Sequence, residues 1–160
     1  MKTAIIMGSD SDYQVVEKTE KLLIEFGIDC QVRVISAHRT PYQAEEFARN
    51  AEENEIEVII AAAGKAAHLP GVLAAYTALP VIGLPIKSST MDGLDSLLSI
   101  VQMPKGIPVA TVAIDGAENA ALLAIQILSV KYPELRQKMK AYKKKMENEV
   151  IEKDNKFRNK

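Results

Sequence analysis

His38 and His68 are the only two histidines among 160 residues. Each sits in a short segment rich in groups that do chemistry: "SAHRTP" at 36–41 and "GKAAHLPG" at 64–71. A third such segment, "GSDSDY" at 8–13, follows the apolar run 3–7. Imidazole titrates near neutrality and suits proton transfer. Arg39, next to His38, offers a planar, permanently charged fork for phosphate. Ser9 and Ser11 stand where a helix should begin, and free amides with the helix dipole favour an anion there. Asp12 would repel phosphate but accepts hydrogen bonds from sugar hydroxyls. A ribose phosphate needs both kinds of group. Asp10 is expected to be exposed or a cap. Gly64, Ala66 and Ala67 are small enough for a ligand to approach the backbone closely. On these residues alone, each histidine is equally a turn residue bonded to backbone, and Ser9, Ser11 and Asp12 are equally a helix N-cap.

Other chemistries lack their residues. The sequence has no Gly-x-x-x-x-Gly-Lys-Ser/Thr phosphate loop, no Gly-x-Gly-x-x-Gly fingerprint and no Gly-x-Ser-x-Gly elbow. Two histidines and one cysteine make a poor zinc set. The expectation is a site without metal or cofactor that moves protons on a small phosphorylated substrate.

The elements that must hold these segments alternate. "TAIIM" (3–7), "CQVRVI" (30–35), "EVIIAAA" (57–63), "PVIGLP" (80–85) and "IPVATVAI" (107–114) read as strands. Residues 11–26, 41–54, 93–102 and 117–130 read as helices, the first stopped by Gly27 and the second opened by Pro41. This rhythm predicts a parallel sheet covered on both faces. Ligands then bind beyond the carboxyl ends of the strands. Both histidines fall there, as does "IKSSTMDG" (86–93) after the fourth strand.

The bulk properties fit one domain at 1–130 with a 131–160 extension. The sequence is 48% hydrophobic with a net charge of −1, which gives no case for nucleic acid as main partner. Cys30 is the single cysteine, so a reducing compartment fits. The apolar start is shorter than the ~7–15 residues of a secretory core. No stretch approaches the ~20 apolar residues of a membrane helix. A soluble cytoplasmic protein is expected. Residues 131–160 carry eleven Lys or Arg against five Asp or Glu. Leu135, Met139, Tyr142, Met146 and Val150 form one stripe along that charged helix. The stripe is expected to pack on a neighbouring subunit.

"MGSDSD", "SAHRTP", "AAHLPG", "DSLLSIVQMPKGIPV" and "NAALLAIQIL" together resemble the PurE family, the bacterial 5-(carboxyamino)imidazole ribonucleotide mutases of purine biosynthesis. The resemblance runs in order from about residue 3 to residue 130. It implies a flavodoxin-like three-layer α/β/α sandwich with a five-stranded parallel sheet, and a homo-octamer with sites near subunit junctions. It implies carboxylate transfer from the exocyclic nitrogen to carbon 4 of an aminoimidazole ribonucleotide without metal, nucleotide or biotin. His38 would be the general acid and base. Ser9, Ser11, Asp12 and Arg39 would bind the ribose phosphate, with Ser36, Gly64, Ala67 and His68 completing the substrate-binding set.

Two departures stand out. The third-strand loop in that family is usually close to "GAGGAAHLPG", so Ala62 and Lys65 stand where glycines are usual. "AIDGAENAALLA" is about two residues shorter than its counterpart. Lys65 either brings positive charge to the carboxylate pocket or faces solvent, and solvent is the expectation. The alternatives are a sibling carboxylase that uses free carbon dioxide and a non-catalytic nucleotide-binding module. A signalling receiver domain would need an aspartate after the third strand and a lysine after the fifth, where this chain has "AAAG" and "AIDG".

Overall fold

The computed structural model describes residues 1–89 and 91–158; Thr90 of the 86–93 loop and the last two residues of the tail lie outside them. Five parallel strands, β1 (Lys2–Met7), β2 (Asp29–Val34), β3 (Val58–Gly64), β4 (Val81–Ile86) and β5 (Ala110–Thr111), form one sheet in the order β2-β1-β3-β4-β5. Six α-helices connect and extend them: α1 (Tyr13–Glu25), α2 (Pro41–Arg49), α3 (Leu69–Tyr76), α4 (Leu94–Val101), α5 (Ala117–Leu128) and α6 (Pro133–Arg158).

The inner strands are apolar throughout because both faces are covered. Successive side chains point to opposite faces. Ile5 and Met7 of β1, with Ile60 and Ala62 of β3, enter a core completed by Val16 and Leu23 of α1 and Ile125 of α5. Ala4 and Ile6, with Ile59 and Ala61, enter a second core with Phe47 of α2, Leu73 of α3 and Ile100 of α4. This is the α/β/α sandwich that the alternation implied.

The differences from the sequence reading have local causes. The fifth strand shrinks from 107–114 to two residues. It is an edge strand, paired only through Ile82 with Ala110 and Gly83 with Thr111. Pro108 in the same stretch cannot donate to a ladder. The second helix ends at Arg49 rather than 54, and the chain turns with Asn54 Nδ2 donating to the Asn50 carbonyl at 2.8 Å. Helix α3 was not anticipated. "LPGVLAAY" is apolar nearly all round, so it shows no one-sided stripe, and its Pro70 and Gly71 resemble loop residues.

The stripe on α6 divides. Leu135 and Met139 are buried in the first core, and the Tyr142 ring meets Phe26 at 5.8 Å between centroids. Lys138 Nζ donates to the Phe26 carbonyl at 2.7 Å, where α1 has ended and Gly27 takes φ +81°. This half of the stripe, expected to meet a neighbouring subunit, is taken up by its own domain. Met146 and Val150 beyond it are exposed. No helix among the described residues is long and apolar enough to cross a membrane.

Candidate functional site

A cavity of about 640 Å³ opens where β1 to β4 end. Its lining draws on all four following loops: Gly8, Ser9, Ser11 and Asp12; Ser36, His38 and Arg39; Gly64, Lys65 and His68; Lys87, Ser88 and Ser89. Of the nine residues expected from sequence, eight line it. Ala67 does not. It is buried under the loop in the α2–α3 core and anchors the loop from beneath.

The first loop is set by β1. The Gly8 amide donates to the Ala62 carbonyl at 3.1 Å and carries the chain over the end of β3. Ser9 then caps a single 3-10 turn, Asp10–Asp12, by accepting from the Ser11 amide at 3.3 Å. Ser11 Oγ donates to Ser9 Oγ at 2.9 Å. Capping thus accounts for Ser9. It does not account for Asp12, which precedes α1 without a side-chain capping bond. Burial lifts the Asp12 carboxyl above the ordinary aspartate value, with Asp10 and Asp115 adding repulsion and Ser11 and Ser9 opposing the rise. A partly buried carboxylate seeks hydrogen-bond donors.

The second loop is tied shut across its base. The Ser36 amide donates to Thr40 Oγ1 at 2.9 Å, and Thr40 Oγ1 donates to the Ser36 carbonyl at 3.0 Å. His38 and Arg39 are thereby presented at its tip. Arg39 reaches back to the first loop, donating to the Gly8 carbonyl at 3.1 Å and through Nε to Ser36 Oγ at 3.4 Å. The guanidinium therefore stands beside the serine turn.

The third loop brings His68 to His38. His38 Nε2 lies 2.8 Å from His68 Nδ1, with the rings edge to face at 80°. A contact of this length needs one protonated nitrogen and one lone pair, so both rings cannot be imidazolium while it holds. Two arrangements of neutral rings satisfy it, His38 Nε2–H donating to His68 Nδ1 or the reverse, and passing from one to the other moves a proton on each ring. Lys65, in the same loop, adopts φ +55° and is exposed at the cavity.

The fourth loop supplies residues that sequence reasoning did not single out. The Lys87 amide donates to Asp115 Oδ1 at 2.9 Å, its ammonium pairs with Asp92 at 3.2 Å, and Ser88 Oγ donates to Asp95 at 3.0 Å. A serine pair and a lone lysine carry no spacing signal. The one available cue was position, directly after a strand.

Residues 2–149 match the family model described as AIR carboxylase. A protein of Pyrococcus abyssi named N5-carboxyaminoimidazole ribonucleotide mutase is 66% identical over 145 residues, covering 91% of this chain and 83% of that one. A protein of the same name from Thermotoga maritima is 60% identical over 152 residues, covering 95% and 89%. The solved structure of Treponema denticola PurE superposes with a TM-score of 0.89 at 31% identity, covering 97% of each chain.

Proposed function

The chain belongs to the AIR carboxylase family, and we infer from that membership that it acts as an N5-carboxyaminoimidazole ribonucleotide mutase. It is an isomerase of purine biosynthesis, moving a carboxylate from the exocyclic nitrogen of its ribonucleotide to carbon 4. A carboxylase working on free carbon dioxide is not favoured, because relatives at 60–66% identity carry the mutase name.

We propose a role for each residue of the site. Ser9, Ser11 and Arg39 take the phosphate, and Asp12 accepts from the ribose hydroxyls. Ser36 holds Arg39 in place. Gly64 lets the imidazole approach the backbone, and Ala67 shapes the loop from below. His38 is the proton carrier and His68 its partner at the migrating carboxylate. His38 protonates the exocyclic nitrogen as its bond to the carboxyl carbon breaks, releasing carbon dioxide. Carbon 4 then attacks that carbon dioxide and forms the new carbon–carbon bond. His38 finally removes the carbon 4 proton. One proton is given and one is taken, so no external acid or base is consumed. A group in both roles works best with a pKa near the operating pH.

The observation that carries this reading is the His38–His68 contact on the cavity that also holds the Ser9, Ser11 and Arg39 cluster. The test is direct: the purified protein, given the carboxyamino ribonucleotide in bicarbonate-free buffer, should form the 4-carboxy product. Product formed only from the uncarboxylated ribonucleotide with added bicarbonate would overturn it.

The protein works in the cytoplasm as a homo-octamer with only its ribonucleotide as small-molecule partner, neither nucleic acid nor membrane being involved. Support for assembly comes from exposed apolar rows, Leu94, Leu98 and Val101 on α4, and Met146 and Val150 on α6.

A further inference from the structure

Lys65 combines three properties. It holds φ +55°, a left-handed conformation that non-glycine residues enter rarely and that tends to persist at functional sites. It lines the cavity three residues before His68. Its ammonium makes no hydrogen bond or ion pair among the described residues. The other two cations of the lining are engaged: Arg39 with the Gly8 carbonyl and Ser36, Lys87 with Asp92.

Under the mutase reading, on which the role of Lys65 rests, the ligand of this cavity is anionic at both ends. Its phosphate belongs with Arg39, Ser9 and Ser11. Its carboxyl group must lie by the histidines, on the 64–68 loop. The protein's one negative lining side chain, Asp12, sits in the first loop. We propose that Lys65 binds the carboxylate of the carboxylated ribonucleotides and so sets the site's preference for them over the uncarboxylated one. A cation favours the carbamate and the carbon 4 carboxylate, both anions, over neutral carbon dioxide between them. Lys65 therefore acts on binding at both ends of the reaction rather than on the barrier.

The test compares two ligands by calorimetry: the 4-carboxy ribonucleotide and its uncarboxylated counterpart, which share the phosphate, ribose and ring. Lys65→Gly is safe for folding because glycine adopts φ +55° without strain. It should raise the Kd of the carboxylated ligand about tenfold, the lower end of what one charge-assisted hydrogen bond supplies, and leave the Kd of the uncarboxylated ligand in place. Lys65→Gln, which keeps length without charge, should match Lys65→Gly, and Lys65→Arg should retain the preference. Equal weakening of both ligands, or of neither, overturns the proposal. Turnover by the unaltered protein is assayed alongside. If that fails, the mutase reading falls, while the ratio of the two Kd values still decides for or against Lys65.

Discussion

His38 and His68 lie 30 positions apart and come from loops after different strands, yet His38 Nε2 stands 2.8 Å from His68 Nδ1. Neither loop is next to the other in the chain. Each follows a neighbour of β1, since β2 and β3 flank it in the sheet. The contact is thus a product of strand order, and it makes the state of each ring depend on the other.

His38→Asn should test the proton carrier. Asparagine keeps a polar group of similar reach but cannot give and take a proton near neutrality. We expect turnover to fall by ~10²–10⁴-fold, the usual contribution of a general acid–base group, with ribonucleotide binding retained in calorimetry. Near-normal turnover would remove His38 from that role.

Arg39→Ala should weaken the nucleotide by roughly 1.5–3 kcal/mol, as expected for loss of a charge-assisted contact, and should weaken the dephosphorylated nucleoside far less. Paired Kd measurements read the difference. An equal penalty on both ligands would show that Arg39 does not hold the phosphate.

Asp12→Asn should move stability and binding in opposite directions. Burial raises the folded-state pKa of this carboxyl above the ordinary 3.8. The folded protein therefore holds more protons than the unfolded chain between 3.8 and the raised value, and stability declines as pH rises through that window. At neutral pH the ionised, part-buried carboxylate is a net cost, and asparagine, neutral and of the same size, removes it. Thermal melting at neutral pH should show a higher Tm for the variant, with the gain absent below both pKa values, while affinity for nucleotide and nucleoside drops alike. A variant that melts lower at neutral pH would contradict the sign.

Gly83→Ala probes the layer beneath the site. A Cβ on Gly83 would collide with Ile100 Cγ2 and stand 3.0 Å from Val109 Cγ1. Overpacking of this kind costs about 1–3 kcal/mol, and denaturant unfolding should show it as a lower midpoint with an unchanged slope. Full stability would mean that α4 shifts freely against β4.

An isotope experiment separates transfer within the site from capture out of solution. Held carbon dioxide recombines at a high effective concentration. Label from bicarbonate should therefore enter the product slowly compared with turnover. Label entering at the turnover rate would mean that the gas escapes and returns in each cycle.

Most of the sheet was legible because strands buried on both faces must be apolar without interruption, as 58–63 is. The loops after β1, β2 and β3 were legible because imidazole, guanidinium and paired hydroxyls at strand ends are chemically conspicuous. Helix α3 was not, since a helix wrapped by core on several sides loses its polar stripe. The limits of β5 were not, because nothing local says that a strand will lie at an edge. The 86–93 loop is legible from its position after the fourth strand, but Lys87 and Ser88 carry no spacing signal that singles them out within it. The small size of Ala67 suits a ligand contact and a buried anchor equally, and the structure makes it the anchor.

The ladder between β1 and β3 has a kinetic side. It pairs Met7 with Ala62 and Thr3 with Val58, so the chain must close a loop of more than fifty residues before the seam exists. Non-local pairing of this kind is slow. The Gly8 amide rests on the Ala62 carbonyl at the end of that seam. The serine turn therefore gains its footing only after the two strands have zipped along their length, and nucleotide binding during refolding should lag the appearance of helix.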